Sequence, residues 1–270
     1  MNPGMSEDLA CLDGVTAPSE DTSIPIVDEG FIRGDGAFEV VRVYDGQPFL
    51  LDEHLARMER SAANLRLESG VPRAKLEEEA AALLEARGGR QFDGLLRMIL
   101  TRGGRRVLLT EPLPPSPERL RLGTVTYAPT RVLDGVKSLS YAANMLSVRI
   151  AKENGFDEAL LVTPHGRVLE GPTSSIFWVD EAGVLSTPPL SDHVLASITR
   201  AHIMDLVEVK ERSVDVDELK RAQEAFMAST TREGQSVSAI DDREFPEPGE
   251  VTRKVAAAFA AHRDQIVAAG

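Results

Sequence analysis

Apolar and polar positions alternate through "GAFEVVRVYDGQPFLL", residues 36–51, and the β-branched run breaks at Asp45-Gly46. That pattern predicts a strand, a tight turn and a return strand. In "LDEHLARMERSAANLRL" the period changes. Leu51, Leu55, Met58, Ala62 and Leu65 recur at helical spacing, and Asp52 is placed as the N-cap. Beyond the "SGVP" break, an Ala- and Glu-rich stretch predicts a second helix over 73–86. "FDGLLRMILTRGG" and "RLRLGTVTYAP" read as strands, and "TEPLPPSPE" between them, with four prolines, reads as a loop. "YAPTRVLDG" reads as a linker punctuated by Pro129 and Gly135. A helix over about 140–154 follows it.

The remainder is a mixture. Short strands are predicted in "DEALLVT", "GRVLEG", "SSIFWVD" and "GVLSTP", a helix opening at "SITRAHIMDLVE", a strand in "VKERSVD" and a short helix in "DELKRAQ". "EAFMAST" and "QSVSAID" read as strands, and a helix from about Gly249 closes the chain. The organisation is α+β in two domains: 1–126, a linker over 127–135, and 136–270.

Composition narrows the function. With 42% hydrophobic and 27% charged residues the chain reads as a globular protein, and "VAAAFAA", the longest apolar run, cannot cross a bilayer. The opening "MNPGMSEDLA" has neither the basic nor the apolar part of a signal peptide. A single cysteine, Cys11, precludes an internal disulfide, so the expected location is the cytoplasm. Five scattered histidines offer no metal spacing. A net charge of −13 argues against nucleic acid as a partner and leaves small molecules.

Candidate chemistry starts at Lys137. The other five lysines sit among charged neighbours, whereas Lys137 has Val136, Ser138, Leu139 and Ser140 around it. Two readings stand here: a strand-end lysine in water, or a sheltered amine able to act as a nucleophile. Glu170 lies beside Gly171 in an apolar setting. Ile198 and Thr199 begin a helix, whose free N–H groups favour an anion. Thr230 ends a strand, and Arg57 lies on the first long helix. An amine, an acid, a helix N-terminus, hydroxyls and an arginine are together what pyridoxal phosphate needs. "RGD" at 33–35 and "GVKS" at 135–138 are chance likenesses to an adhesion motif and a phosphate loop, and "TPHGR" around His165 is a hairpin turn.

The combination resembles the class IV, fold type IV, pyridoxal-phosphate aminotransferases, a family that includes branched-chain and D-amino-acid aminotransferases and aminodeoxychorismate lyase. The resemblance runs from Ile24 to Asp241. It rests on "KSLSYAANMLSVRIAKENGFDEALLVTPHGRVLEGPTSSIFWV", with "GDGAFEVVRVYDG", "DEHLARMERS", "LASITR" and "ASTTRE" in family order. It implies a small N-terminal α/β domain and a larger C-terminal pseudo-barrel domain, an active site at their junction, and a homodimer. It implies that Lys137 carries the cofactor and shuttles the proton, that Glu170 pairs with the ring nitrogen, and that Tyr141 bonds the ring's phenolic oxygen. Arg57, Ile198, Thr199 and Thr230 would hold the phosphate, Leu195 would pack on the ring, and Ser175 would lie near Glu170. Phe38, Arg33, Arg97, Arg106 and Thr231 fall on the substrate side. The implied reaction moves an amino group between an amino acid and a 2-oxo acid, with 4-amino-4-deoxychorismate lyase as the alternative. Departures from the family pattern are Ser197 where Gly is usual before "IT", Phe38 where D-amino-acid enzymes have Tyr, no His after "TRGG", and Leu95 where branched-chain enzymes have Tyr.

Overall fold

The computed structural model describes residues 8–67, 71–245 and 247–269. The start of the chain and Ser69-Gly70 of the "SGVP" break lie outside the described residues. By its contacts the chain divides into two units. One takes the chain up to Pro114, the short segment Val136–Ser140 and the end from Ile266; the other takes Pro115–Gly135 and Tyr141–Gln265.

The first unit holds β1 (Leu9–Leu12), β2 (Val15–Pro18), α1 (Glu29–Arg33), β3 (Gly36–Tyr44), β4 (Gln47–Pro48), α2 (Leu51–Asn64), α3 (Arg73–Ala86), β5 (Gly94–Thr101) and β6 (Arg106–Glu111). Its strands form an antiparallel sheet of order β2-β1-β6-β5-β3-β4. The β3–β4 hairpin turns at Asp45-Gly46, both at positive φ as such a turn requires. β1, β2 and β6 were not expected. β6 follows so closely on "TRGG" that its short apolar run is masked by the arginines and prolines around it.

Helix α2 begins at Leu51 rather than after Asp52. Leu50 turns the chain in a left-handed conformation, and Asp52 falls in the first turn, where its carboxylate accepts from Arg73. An acid still suits that turn. Strand alternation sends Val41 and Val43 of β3 and Leu96, Met98 and Leu100 of β5 to one face. There they pack with Leu55, Met58 and Ala62 of α2 and Leu76, Leu83 and Leu84 of α3 in one core. Phe38, Val40 and Arg97 therefore point to the opposite face.

The second unit contains β7 (Leu120–Thr126), α4 (Ala142–Glu153), β8 (Glu158–Val162), β9 (Ser175–Val179), β10 (Leu185–Thr187), α5 (Ile198–Leu206), β11 (Lys210–Glu211), α6 (Val216–Leu219), β12 (Glu224–Ala228), β13 (Gln235–Ile240), β14 (Arg243–Glu244) and most of α7 (Glu250–Ala269). Its mixed sheet runs β11-β10-β9-β12-β13-β7-β8, with β14 on β13. β7, placed by the sequence reading at the end of the first domain, pairs in parallel with β13 and β8 here. "GRVLEG" makes only isolated bridges, Val162 to Val168 and Arg167 to Asp215, rather than a strand. Trp178, Ile176, Met227, Val237 and Leu120 centre this unit's core. Among the described residues no helix is long and apolar enough to cross a membrane.

Candidate active site

Lys137 is fixed through its backbone. The Phe38 N–H donates to the Lys137 carbonyl (3.0 Å), the Leu139 N–H donates to Gly36 (2.9 Å), and the Lys137 N–H donates to Ser61 Oγ of α2 (3.1 Å). Segment 136–140 thus lies against the start of β3, bridging Ser138 to Ala37. Gly36 makes this possible, because a Cβ there would collide with the Leu139 side chain and the Leu100 carbonyl. The half-buried Lys137 puts Nζ 4.4 Å from the centroid of the Phe38 ring, a cation–π contact.

Arg57 projects from α2 onto β3. Its Nε and Nη2 donate to the two carboxylate oxygens of Glu39, each at 2.7 Å, and His54 Nδ1 donates to Glu39 Oε2 at 2.8 Å. All three side chains are buried. Burial pushes Glu39 up, but the hydrogen bonds from Arg57 and His54 outweigh it and hold the carboxyl at about 2. Desolvation lowers His54 below its ordinary value despite the pull of Glu39. The trio is an ionised Glu39 and Arg57 with a neutral His54, and it locks the guanidinium in one plane.

The three candidate substrate arginines separate. Arg97 Cζ lies 5.7 Å from the Phe38 centroid, so the ring that meets Lys137 also meets Arg97. Its Nε and Nη2 donate to Glu111 at 2.7 and 2.9 Å. Arg106 is not brought to this side. It stands opposite Leu100 on the helix-covered face and pairs with Glu79 of α3 through Nε (3.0 Å) and Nη2 (2.6 Å). Arg33 ends α1 with its side chain 69% exposed, 3.6 Å from Glu29, and the flanking Phe31 and Ile32 are themselves exposed.

In the second unit, Glu170 Oε1 accepts from the Leu195 N–H at 3.0 Å, which sets both residues in one place. The chain at Leu169 and Glu170 exchanges backbone hydrogen bonds with Leu161 of β8. The Tyr141 hydroxyl donates to the Pro172 carbonyl, which also accepts from Asn144 Nδ2 at 3.0 Å, so Tyr141 is tied two residues beyond Glu170. Ser175 is buried, and its Oγ has no hydrogen-bond partner among the described residues. Ser197 caps α5 by accepting from the Arg200 N–H, and the first backbone bond of the helix is Ala201 to Ser197. That leaves the Ile198 and Thr199 N–H groups outside the helix's own bonding, as helix geometry dictates. Thr230 and Thr231 lie in a turn closed by Arg232 and Glu233 onto the Ser229 carbonyl. A helix N-terminus and hydroxyls can donate to an anion, and a positioned carboxylate can accept from a protonated ring nitrogen.

Glu39, His54, Ser61 and Glu111 escape the sequence reading. Two signals for them were present. His54 and Arg57 are three apart on a helix, hence on one face. Glu39 interrupts an otherwise apolar face of β3, where a carboxylate needs a cation.

The family model described as Amino-transferase class IV matches residues 36–240. A putative branched-chain-amino-acid aminotransferase of Methanocaldococcus jannaschii is 33% identical, covering 92% of this chain and 94% of its own. A D-alanine aminotransferase of Bacillus licheniformis is 31% identical, covering 88% and 90%. Among solved structures, a fold IV transaminase from Curtobacterium pusillum superposes with a TM-score of 0.84 at 29% identity, covering 96% of this chain and 99% of that one. The α+β fold with its two sheets is therefore fold type IV, and the chain is an enzyme belonging to the class IV aminotransferase family.

Proposed function

We propose that the protein is a pyridoxal-phosphate-dependent aminotransferase that moves an amino group between an amino acid, of branched-chain or D type, and a 2-oxo acid. The observation that carries this reading is Lys137, held by backbone hydrogen bonds with its amine against Phe38. The residues present suit the cofactor. Arg57, locked by Glu39, and the Ile198 and Thr199 amides with Thr230 would hold its phosphate. Glu170 would meet its ring nitrogen, Tyr141 its phenolic oxygen, and Leu195 its ring face, with the buried and unpartnered Ser175 hydroxyl as a further donor. When bound, the cofactor supplies an aldehyde to join the amine and a ring that accepts the electrons released at the α-carbon.

The chain's own groups do the rest. Within one half-reaction Lys137 Nζ would take the proton from the substrate α-carbon and hand it to the carbon that retains the amino group, and it would run the same transfer in reverse in the other half. Glu170 would lie beside the ring nitrogen and favour its protonated form, with the Leu195 N–H holding the carboxylate in place. Arg97, next to Phe38, takes a substrate carboxylate, for which a planar fixed charge is the best partner. A homodimer is part of the proposal. Ile26, Val27, Phe31 and Ile32 are 75, 73, 65 and 57% exposed, an apolar stretch that a second copy would cover. The cytoplasm remains the proposed location, and the single buried Cys11 is compatible with it.

The test is borohydride reduction of the purified yellow protein followed by peptide mapping, with a donor panel assayed with and without 2-oxoglutarate. The label is expected on Lys137, and turnover is expected only with an acceptor present. A label on another lysine, or pyruvate released from aminodeoxychorismate without an acceptor, would overturn the reading.

A further inference from the structure

The face of the first sheet on which α2 and α3 do not pack presents Phe38 and Val40 of β3, Arg97 and Ile99 of β5, and Leu109 and Glu111 of β6. Arg97 and Glu111 are a charged pair in this mostly apolar group; Arg42 of β3, on the same face, is paired with Asp93 at 2.6 Å. They sit diagonally across β5 and β6, where Arg97 faces Leu109 and Glu111 faces Leu95. Both carboxylate oxygens of Glu111 are engaged, at 2.7 and 2.9 Å, by the Nε–Nη2 edge of the guanidinium. Neither side chain is sequestered: Arg97 is 31% exposed and Glu111 30%. Arg97 also lies against the ring that receives Lys137.

We propose that Glu111 is a specificity-determining residue: it is an internal carboxylate that occupies Arg97 and competes with the carboxylate of the substrate. The inference rests on the aminotransferase reading, which assigns Arg97 to a substrate carboxylate. A guanidinium offers two edges suited to a carboxylate, and the Nε–Nη2 edge is already filled. A second carboxylate must displace Glu111 or bind beside its negative charge, and either lowers affinity. The converse also holds. With Glu111 in place, Arg97 is never left unpaired among Phe38, Ile99 and Leu109, so a ligand without a carboxylate suffers no penalty for failing to satisfy it. The pair therefore flattens the difference between ligands that carry a carboxylate and ligands that do not.

The test uses the full chain loaded with its cofactor and two probes of equal shape, 4-methylpentanoate and 4-methylpentanamide, with binding read by calorimetry. Glu111→Gln keeps the size of the side chain and removes its charge. It is expected to tighten the acid about tenfold or more, the scale of a charged hydrogen bond, and to change the amide by less than about twofold. Glu111→Ser is the second variant should the amide side chain disturb β6. Adding Arg97→Gln to Glu111→Gln is expected to abolish the gain, which separates a contact with Arg97 from a general change in field. In turnover, KM for a 2-oxo acid should fall while kcat holds. An acid-to-amide ratio unchanged in both variants overturns the proposal, as does weaker binding of the acid or a gain that survives loss of Arg97. The calorimetric arm needs no turnover, so a protein that binds as expected but does not transaminate refutes the functional reading and not this one.

Discussion

Arg57 and Arg97 make the same bond in two different places. Each offers its Nε–Nη2 edge to a glutamate, Arg57 to Glu39 and Arg97 to Glu111, with all four distances between 2.7 and 2.9 Å. Glu39 is fully buried under α2 and Arg57 nearly so, whereas Arg97 and Glu111 are about one-third exposed on the other face. Burial decides what the bond does. In a dry site the two charges have no alternative to each other, and the pair is a fixed part of the fold. At the half-open face water and ligands compete, and the pair can exchange partners. In the proposed reaction the phosphate would call for an arginine that does not move, and the substrate carboxylate for one that can let go.

The largest consequence falls on the buried pair. Glu39→Ala strands the Arg57 charge and removes the acceptor of His54, and it should cost about 3–5 kcal/mol of folding stability by urea titration. Glu111→Ala should cost less than about 1 kcal/mol by the same measurement. Equal losses would break the distinction between the two faces.

Acid sharpens the same contrast. Glu39 is held at about 2 against an ordinary 4.5, so its contribution is full above about 4.5 and is lost as pH falls through about 2. The shift corresponds to about 3 kcal/mol. His54 adds in the same direction. Its lowered value means the unfolded chain takes up a proton first, so stability begins to fall below the ordinary histidine range near 6.5. Wild type should therefore lose stability steadily from mildly acidic pH downward, and Glu39→Gln should flatten the limb below about 4.5. An unchanged limb in that variant would show the carboxylate is not ionised in the folded protein.

Much of this was legible in the sequence, for identifiable reasons. The hairpin at Asp45-Gly46 and helices α2 and α3 followed from period and turn chemistry, which are local signals. Lys137, Glu170 and the α5 N-terminus stood out as candidates because each is a chemical exception in its neighbourhood. What stayed hidden depends on pairing at a distance. β1 and β6 are strands because they pair with each other, with Cys11 opposite Leu108, a partnership that no local window contains. The face on which Arg97 and Arg106 project is set by the register of β5 on β6, so the two looked alike as residues and proved to be opposite in space. Glu111, beside a run of prolines, read as the edge of a loop.

That opposition gives a prediction of intermediate size. Arg97→Ala should raise KM for amino acids about tenfold while leaving an amine donor without a carboxylate nearly unchanged. Arg106→Ala should leave both KM values alone and instead lower stability by about 1–3 kcal/mol, because Glu79, on the buried side of α3, loses its bidentate partner. Thermal melts beside the kinetics separate the two outcomes. A KM effect in the Arg106 variant confined to carboxylate donors would mean that the helix-covered face is not closed to substrate.

The smallest effect is expected at Arg33, which from sequence ranked beside Arg97. Among the described residues it approaches Glu29, four residues earlier on α1, at 3.6 Å, with the arginine side chain 69% exposed. Such pairs contribute little, because water already solvates both charges. The helix does not depend on it. Asp28 caps α1 by accepting from the Gly30 N–H at 2.8 Å and is itself bonded by Thr101 Oγ1 at 2.9 Å, and Gly34 ends the helix at φ 66. Arg33→Ala leaves all of these in place, so it should change stability by less than about 0.5 kcal/mol and KM for any donor by less than about twofold. A rise in KM limited to carboxylate donors would return Arg33 to the substrate side. An effect that instead grows as the protein is diluted would place it in the interface beside Phe31 and Ile32, since only an association equilibrium depends on concentration in that way.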